Sequence, residues 1–182
     1  EMCVINANGG NISFNTSAFA SAYGALNGNG GTLQFIAASG KTITVGSAST
    51  PGLIATGGAG GGGVIKDGAG TLILNGNTAN TYGGPTTVNA GLLTAGKVNA
   101  LGSGGTLNSL MVNGGTLDIG NYNQSVRGVT VAGGTINAGS GVLTGTSYNL
   151  QSGTVNAKLG GTAALSKTTA GTANLNSAST YS

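Results

Sequence analysis

A short motif recurs at a near-constant interval in the second half of the chain. The tetrapeptides Gly-Gly-Thr-Leu, Gly-Gly-Thr-Ile and Ser-Gly-Thr-Val place Thr116, Thr135 and Thr154 at intervals of 19 residues, and Ala-Gly-Thr-Ala adds Thr172 after 18 more. A unit of this size is too short to bury a hydrophobic face alone, so it must stack on its neighbours to form a continuous core. The repeat therefore predicts a solenoid, and a solenoid favours a function as a structural rod.

Two columns of apolar residues follow the same interval. Their members are Val112, Val131 and Leu150 in one column and Leu110, Val129 and Tyr148 in the other. Because residues two apart share one face of a strand, both columns are predicted to point inward, each residue stacking on its counterpart about 4.8 Å along the axis. The pattern indicates an all-β fold, a single-stranded parallel β-helix (β-solenoid) with coils of about 19 residues. Glycine pairs, and Asn113, Asn137 and Asn156, are expected at its corners.

Short segments rich in β-branched residues and bounded by Gly, Asn or Ser predict the strands. These segments are 31–36, 42–45, 71–74, 86–88, 110–112, 129–131 and 149–150. Residues 16–25 form the single stretch with a helical alternative, because Phe19 and Tyr23 lie four apart there.

The chain is interpreted as one repeat array. Residues 1–28 are predicted to be an irregular N-terminal segment or cap, and residues 29–182 the β-solenoid. The glycine run at 57–63 is expected to be a loop that bulges from one coil.

Charge is sparse in this sequence. Of its 182 residues 5% are charged, and the six basic ones are scattered along the chain, at Lys41, Lys66, Lys97, Arg127, Lys158 and Lys167. Nucleic-acid binding requires clustered basic residues, so no nucleic-acid partner is expected. No apolar run reaches the length of a membrane span, so none is expected in this segment. Low charge offers little resistance to association with like molecules, which favours assembly or a surface setting.

The residues on which catalysis or metal binding depends are few. The chain has no His, and Cys3 is the sole cysteine, so neither a metal site nor a cofactor site is expected. Asp67 and Asp118 lie 51 residues apart and are interpreted as solvated surface acids instead of the paired carboxylates of a polysaccharide-acting enzyme. The adjacent pair Ser166-Lys167 points to opposite strand faces, which opposes a Ser/Lys dyad. No catalytic, cofactor or metal residue is therefore assigned.

One P-loop-like sequence is also set aside. Gly40-Lys41-Thr42 resembles the end of a phosphate-binding loop, but Phe35 stands where that motif has its first glycine. A strand is predicted after it, where the motif requires a helix.

The sequence also contains a second repeat, with a longer motif. Residues 66–93 read KDGAGTLILNGNTANTYGGPTTVNAGLL, and 167–175 echo the start 101 residues later as KTTAGTANL. The first segment resembles the passenger-associated transport repeat of bacterial autotransporters, whose motif runs G-x-G-T-L-x-L, N-x-Y-x-G, T-x-V and G-x-L. We predict motifs of this kind at 66–93 and, in truncated form, at 165–182.

This resemblance implies a secreted parallel β-helix in the family's usual right-handed form, on the cell surface and outer-membrane-associated in a full precursor with a C-terminal translocator. It transfers no catalytic residues. The leading hypothesis is a non-enzymatic stalk or adhesin passenger, and the alternative is a subunit of a self-assembling extracellular fibre with end-to-end stacking. A polysaccharide-acting enzyme is a remote third. The partners expected are other copies of the chain or neighbouring coils, and carbohydrate or a host surface.

Overall fold

The structure is a computed structural model that describes residues 2–14, 25–27, 31–47, 53–55, 62–102 and 108–180. Every strand pair in these ranges is parallel. The described residues contain strands and turns but no helix, and thus no helix long and apolar enough to cross a membrane.

Two eight-stranded sheets form the body of the molecule. The first sheet consists, in order, of β1 (Met2–Ala7), β4 (Thr32–Ala37), β7 (Val64–Asp67), β9 (Thr86–Val88), β11 (Leu110–Val112), β14 (Gly128–Val131), β17 (Ser147–Leu150) and β20 (Leu165–Ser166). The second consists of β2 (Ile12–Phe14), β5 (Thr42–Val45), β8 (Thr71–Leu74), β10 (Leu92–Ala95), β12 (Thr116–Asp118), β15 (Thr135–Asn137), β18 (Gly153–Val155) and β21 (Ala173–Leu175). Strands of the two sheets alternate along the chain, so each coil adds one strand to each sheet.

Two smaller ladders complete the coils. One contains β13 (Gln124–Ser125), β16 (Val142–Thr144) and β19 (Lys158–Gly160), and the other β3 (Ala25–Asn27) and β6 (Leu53–Ala55). Stacked parallel sheets joined coil by coil are the architecture of a parallel β-solenoid, which confirms the predicted fold class.

The core lies between the sheets and is built by alternation along each strand. In β4 every second side chain is buried, and the same holds for β5, β8 and β10. Both predicted apolar columns are buried and in register: Leu110 pairs with Val129 and Val129 with Tyr148, while Val112, Val131 and Leu150 pair in the same way. Their inward direction is confirmed.

Coil length is not uniform. The step is 19 residues from Leu110 to Val129, but 30 from Met2 to Thr32 and 24 from Thr86 to Leu110. The strands stay short throughout, so the extra residues of the early coils lie in the connections between them.

The last predicted copy of the motif has a different register, and here the prediction was wrong. Thr154 pairs with Asn174, so Thr172 lies two positions outside the threonine column. This register stacks Leu175 on Val155, where a step of 18 would have placed Ala173. The larger side chain buries more apolar surface against the core.

The N-terminal region also differs from its prediction. Within residues 1–28, expected to be irregular or a cap, β1 pairs in register with β4 and β2 with β5. In this register Ile5 lies opposite Phe35 of β4, and Ala7 lies opposite Ala37. Nearly all of the stretch with a helical alternative, and residues 57–61 of the glycine run, lie outside the described residues.

Candidate functional site

A buried lysine lies near the end of β7, beside the turn that leads to β8. Lys66 has no exposed surface, and its Nζ donates hydrogen bonds to the carbonyl oxygens of Asp67 and Gly68, both at 2.7 Å, and of Ala90 at 3.1 Å. The last bond joins this turn to the next coil. We call Lys66, Asp67, Gly68 and Gly91 the lysine corner.

The outer side of the lysine corner is held by the carboxylate of Asp67. One oxygen accepts from the Gly68 backbone N–H at 3.0 Å, and the other accepts from the amides of Gln34 at 3.2 Å and Asn89 at 3.5 Å. These residues follow one another on three coils, so the carboxylate joins the coil before and the coil after its own. Its role here is structural, in place of the solvated acid expected from sequence.

A second polar cluster lies in the interior, around the connection between β8 and β9. Asn80 is fully buried, and its Oδ1 accepts from the backbone N–H of Ile54 and from Nζ of Lys97, both at 2.9 Å. Its Nδ2 donates to the carbonyl of Ala100. One amide therefore joins residues of three coils.

Tyr82 extends this cluster. Its hydroxyl lies 2.6 Å from Oγ1 of Thr86, which in turn donates to the carbonyl of Leu101 at 3.4 Å. Gln124, also fully buried, donates to the carbonyl of Lys97 at 2.7 Å and accepts from the N–H of Leu101 at 3.3 Å. The turn at 97–101 is thus fixed by side chains on both sides along the axis.

Burial sets the ionisation of these groups. It lowers the pKa of Lys66 to about 8, against the opposing attraction of the Asp67 carboxylate, and lowers the pKa of Lys97 to about 8 as well. Burial also raises the pKa of Tyr82, although its hydrogen bond to Thr86 works in the opposite direction. Each pKa shift reflects the cost of placing a charged group inside the solenoid.

Amide ladders run along the outside. Asn156 donates to Oδ1 of Asn137 at 2.7 Å and accepts from Asn176 at 2.8 Å, while Asn113 donates to Asn89 at 2.9 Å. The first ladder follows the strands of the second sheet, and the other follows the first sheet.

The residues considered for catalysis are not brought together. Asp67 ends β7 in the first sheet, whereas Asp118 ends β12 in the second and accepts from the Gly120 N–H at 2.8 Å. Ser166 donates to the Tyr148 carbonyl at 3.2 Å, and Lys167 donates to Thr169, so the Ser/Lys pair forms no dyad. Within the described ranges no three His, Cys, Asp or Glu side chains lie close enough to hold a metal ion.

Sequence reasoning did not identify the buried lysines and amides. A signal was present for Lys66, because Val64 is two residues before it and the period of a strand places both on one face. Val64 and Lys66 are indeed both fully buried. Asn80 and Lys97 lie in connections without strand periodicity, so no comparable signal exists for them.

Comparison with known proteins bears on this same stretch. The family model described as passenger-associated-transport-repeat matches residues 64–95. No curated protein and no solved structure matches the chain. The matched segment begins with the first residue of β7 and ends with the last residue of β10. It therefore comprises one coil of the solenoid together with the strand pair that follows. The chain carries a passenger-associated transport repeat of the type found in autotransporter passengers.

Proposed function

We propose that this chain is a non-enzymatic structural segment, a β-solenoid stalk in the passenger of a secreted, cell-surface autotransporter. The observation that carries the proposal is the burial of the repeat's own side chains. The motif side chains at Leu72, Leu74, Asn80, Tyr82, Thr86, Val88 and Leu93 are all fully buried. Thr71 is the one non-glycine motif residue that is partly exposed. A repeat that turns its other motif side chains inward supports the solenoid and withholds them from a substrate.

The polar members of the motif act on the backbone of neighbouring coils. Asn80 contacts Ile54, Lys97 and Ala100, and Thr86 contacts Leu101. Buried hydrogen bonds of this kind specify one arrangement of the loops, because a buried polar group without a partner is costly. This arrangement suits a module whose task is to fold reliably once it is outside the cell.

The location is tested in cells that make the full-length protein. Antibody raised against this chain is expected to label intact cells, and protease added outside the cells is expected to remove the label. Antigen that stays protected from protease until the cells are broken would contradict a surface stalk.

The structural role is tested with a matched pair of neighbouring substitutions. Asn80→Ala removes the acceptor shared by Ile54 and Lys97, whereas Thr81→Ala changes an exposed side chain. We expect Asn80→Ala to lower the surface-exposed amount several-fold and Thr81→Ala to leave it unchanged, at equal synthesis of both proteins. Equal display of the two variants would count against the role given to the repeat.

A second candidate function is a subunit of an extracellular fibre. It is favoured by the low charge, six basic and three acidic residues among 182, since electrostatic repulsion then does little to keep copies apart. Filament formation by the purified chain distinguishes it from the stalk.

A further inference from the structure

A groove of about 410 Å³ opens on the outside of the solenoid. It lies where three successive strands of the second sheet, β8, β10 and β12, have ended, and its walls are residues 75–79, residues 96–98 and Tyr122. Its volume falls within the range of small-ligand sites, about 300–1,000 Å³. The hydrogen bonds that join the coils do not require an open groove here, so the structural role does not explain it.

The large apolar side chains of the groove are both exposed, Tyr122 at 43% and Val98 at 53%, and Ala79 adds a methyl group. Tyr122 differs from the other aromatic residues whose burial is described, because Phe35, Tyr82 and Tyr148 are at most 1% exposed. An exposed aromatic ring beside a concave polar surface provides a flat apolar face with a polar tip, which is suited to stacking.

The polar surface is formed by amides and a hydroxyl. Thr78 donates to Oδ1 of Asn77 at 3.1 Å, which leaves the Asn77 amide N–H groups directed to no described protein group. No described group bonds to the side-chain amide of Asn75 or to the phenol of Tyr122 either. Donors and acceptors are thus available together along one side of the groove.

The electrostatics of the groove restrict the ligand. Lys97 is the one ionisable lysine or acid in the wall; it is 5% exposed, and its ammonium donates to Asn80 inside the solenoid. No carboxylate lines the groove, which disfavours a cation, and the single ammonium faces inward, which disfavours a polyanion. A neutral ligand with both an apolar face and hydroxyl groups fits these walls.

The backbone that carries the aromatic wall is held in place before any ligand arrives. Tyr122 closes a turn in which its N–H donates to the carbonyl of Ile119 at 3.0 Å, and Asn121 accepts from the backbone N–H of Ser140 on the next coil at 3.0 Å. Gln124 donates to the carbonyls of both Tyr122 and Lys97, at 3.3 and 2.7 Å, so one buried amide joins two walls. Pre-organisation of this kind reduces the ordering cost of binding.

We propose that this groove binds a neutral saccharide, with the apolar face of a pyranose ring stacked on Tyr122 and its hydroxyl groups hydrogen-bonded to Asn75, Asn77 and Thr78. The proposal goes beyond the structural role and does not rest on it, because the stalk would be unchanged if the groove bound nothing. A peptide strand from another chain is the competing occupant.

The test uses the whole chain labelled with ¹⁵N and four defined probes: maltohexaose, cellohexaose, hexa-N-acetylchitohexaose and mannohexaose. We expect at least one probe to shift the amide resonances of 75–79, 96–98 and 122, and to show saturation transfer from the protein. Tyr122→Ala should weaken that binding at least tenfold, and Tyr122→Phe, which keeps the ring, less than threefold. Met111→Ala, which alters an exposed side chain in the first sheet, serves as the control and should have no effect.

Two results would overturn the proposal. One is the absence of any response at the groove to all four probes while the spectrum shows a folded chain. The other is saccharide binding that Tyr122→Ala leaves intact, since this would place the binding elsewhere. A groove that ignores saccharides but shifts as the concentration of the chain itself is raised would assign it to contact between copies.

Discussion

At the scale of single residues, backbone proximity between coils is the strictest requirement. Gly91 has φ of +67°, and a Cβ there would lie 2.3 Å from the carbonyl oxygen of Gly70 and 2.8 Å from Nζ of Lys66. A side chain at this position would push the coils apart at the lysine corner. Glycine is needed here for both its conformation and its lack of volume.

Three glycine substitutions separate these two causes. Gly9→Ala meets nothing within 4 Å and should change the free energy of unfolding by less than about 0.5 kcal/mol. Gly40→Ala also meets nothing but has φ of +71°, and should cost about 1–2 kcal/mol. Gly91→Ala combines strain with the clash and should cost about 3 kcal/mol or more. Chemical unfolding of the three variants checks the order, and a Gly91→Ala no worse than Gly40→Ala would refute the close approach.

Buried lysines predict an unusual dependence of stability on pH. Because the folded-state pKa of Lys97 and Lys66 is about 8, below the ordinary 10.5, the unfolded chain binds more protons between these values. The free energy of unfolding should therefore rise with pH in this window. From pH 7.5 to 9.5 we expect about 1 kcal/mol per lysine after allowance for solvent screening.

Denaturant unfolding at the two pH values measures this rise. Lys97→Met should remove about half of it, while Lys158→Met, which alters an exposed lysine, should remove none. The window closes near pH 10, because the raised pKa of Tyr82 lets the unfolded state lose a proton that the folded state keeps. A wild-type stability that is flat or falls between pH 7.5 and 9.5 would mean that neither ammonium is destabilised by burial.

At the scale of elements, the sequence predicted strands well where apolar alternation and turn residues coincide. The bounds of β5, β8, β9 and β11 match their predictions residue by residue. Strands such as β13 and β19 lack this pattern and were not predicted. Gln124 and Lys158 are in strands because they pair with neighbouring coils, not because of local preference. The register of β21 could not be predicted either, since it depends on how well Leu175 packs on Val155.

The corrected register predicts which cysteines will cross-link. Facing residues on neighbouring parallel strands lie about 4.8 Å apart, within the range of a disulfide, whereas a shift of two residues exceeds it. In a Cys3→Ser background, Thr154→Cys with Asn174→Cys should oxidise readily and Thr154→Cys with Thr172→Cys should not. Mobility on a non-reducing gel, with thiol titration, reads out both. Preferential cross-linking of the second pair would restore the 18-residue step.

At the scale of the whole molecule, the solenoid joins coils of unequal length through two continuous sheets. The polar clusters around Lys66 and Asn80 lie in the coil whose step is 22 residues, from Val64 to Thr86. The regular coils between β11 and β18 combine apolar columns and external amide ladders with buried polar side chains of their own. Gln124 is fully buried there, and the buried Tyr148 hydroxyl donates to the carbonyls of Leu143 and Gly160 and accepts from the Gly145 N–H. Interior hydrogen bonds therefore occur in coils of both lengths, because a buried polar group without a partner is costly.

The candidate groove was beyond reach of sequence reasoning for a related cause. Its walls come from residues 75–79, 96–98 and 122, which meet only because the coils between them have particular lengths. The two steps are 21 residues from Thr71 to Leu92 and 24 from Leu92 to Thr116. Neither equals the 19 that the repeat indicates, so the repeat alone would have placed Tyr122 against other neighbours.

The two candidate functions predict different particles. Seven strand spacings separate the first and last strands of an eight-stranded sheet, so a single copy should measure roughly 34 Å between them along its axis. For a stalk we expect small-angle scattering to give the mass of one 17.2 kDa chain, unchanged as concentration rises fiftyfold, and electron microscopy to show no filaments. A fibre subunit would instead gain mass with concentration and form filaments with an axial repeat near 4.8 Å. Since the low net charge is the property that favours association, raising salt should change a stalk little. Growth of filaments at any salt concentration would replace the stalk by the fibre as the function of this solenoid.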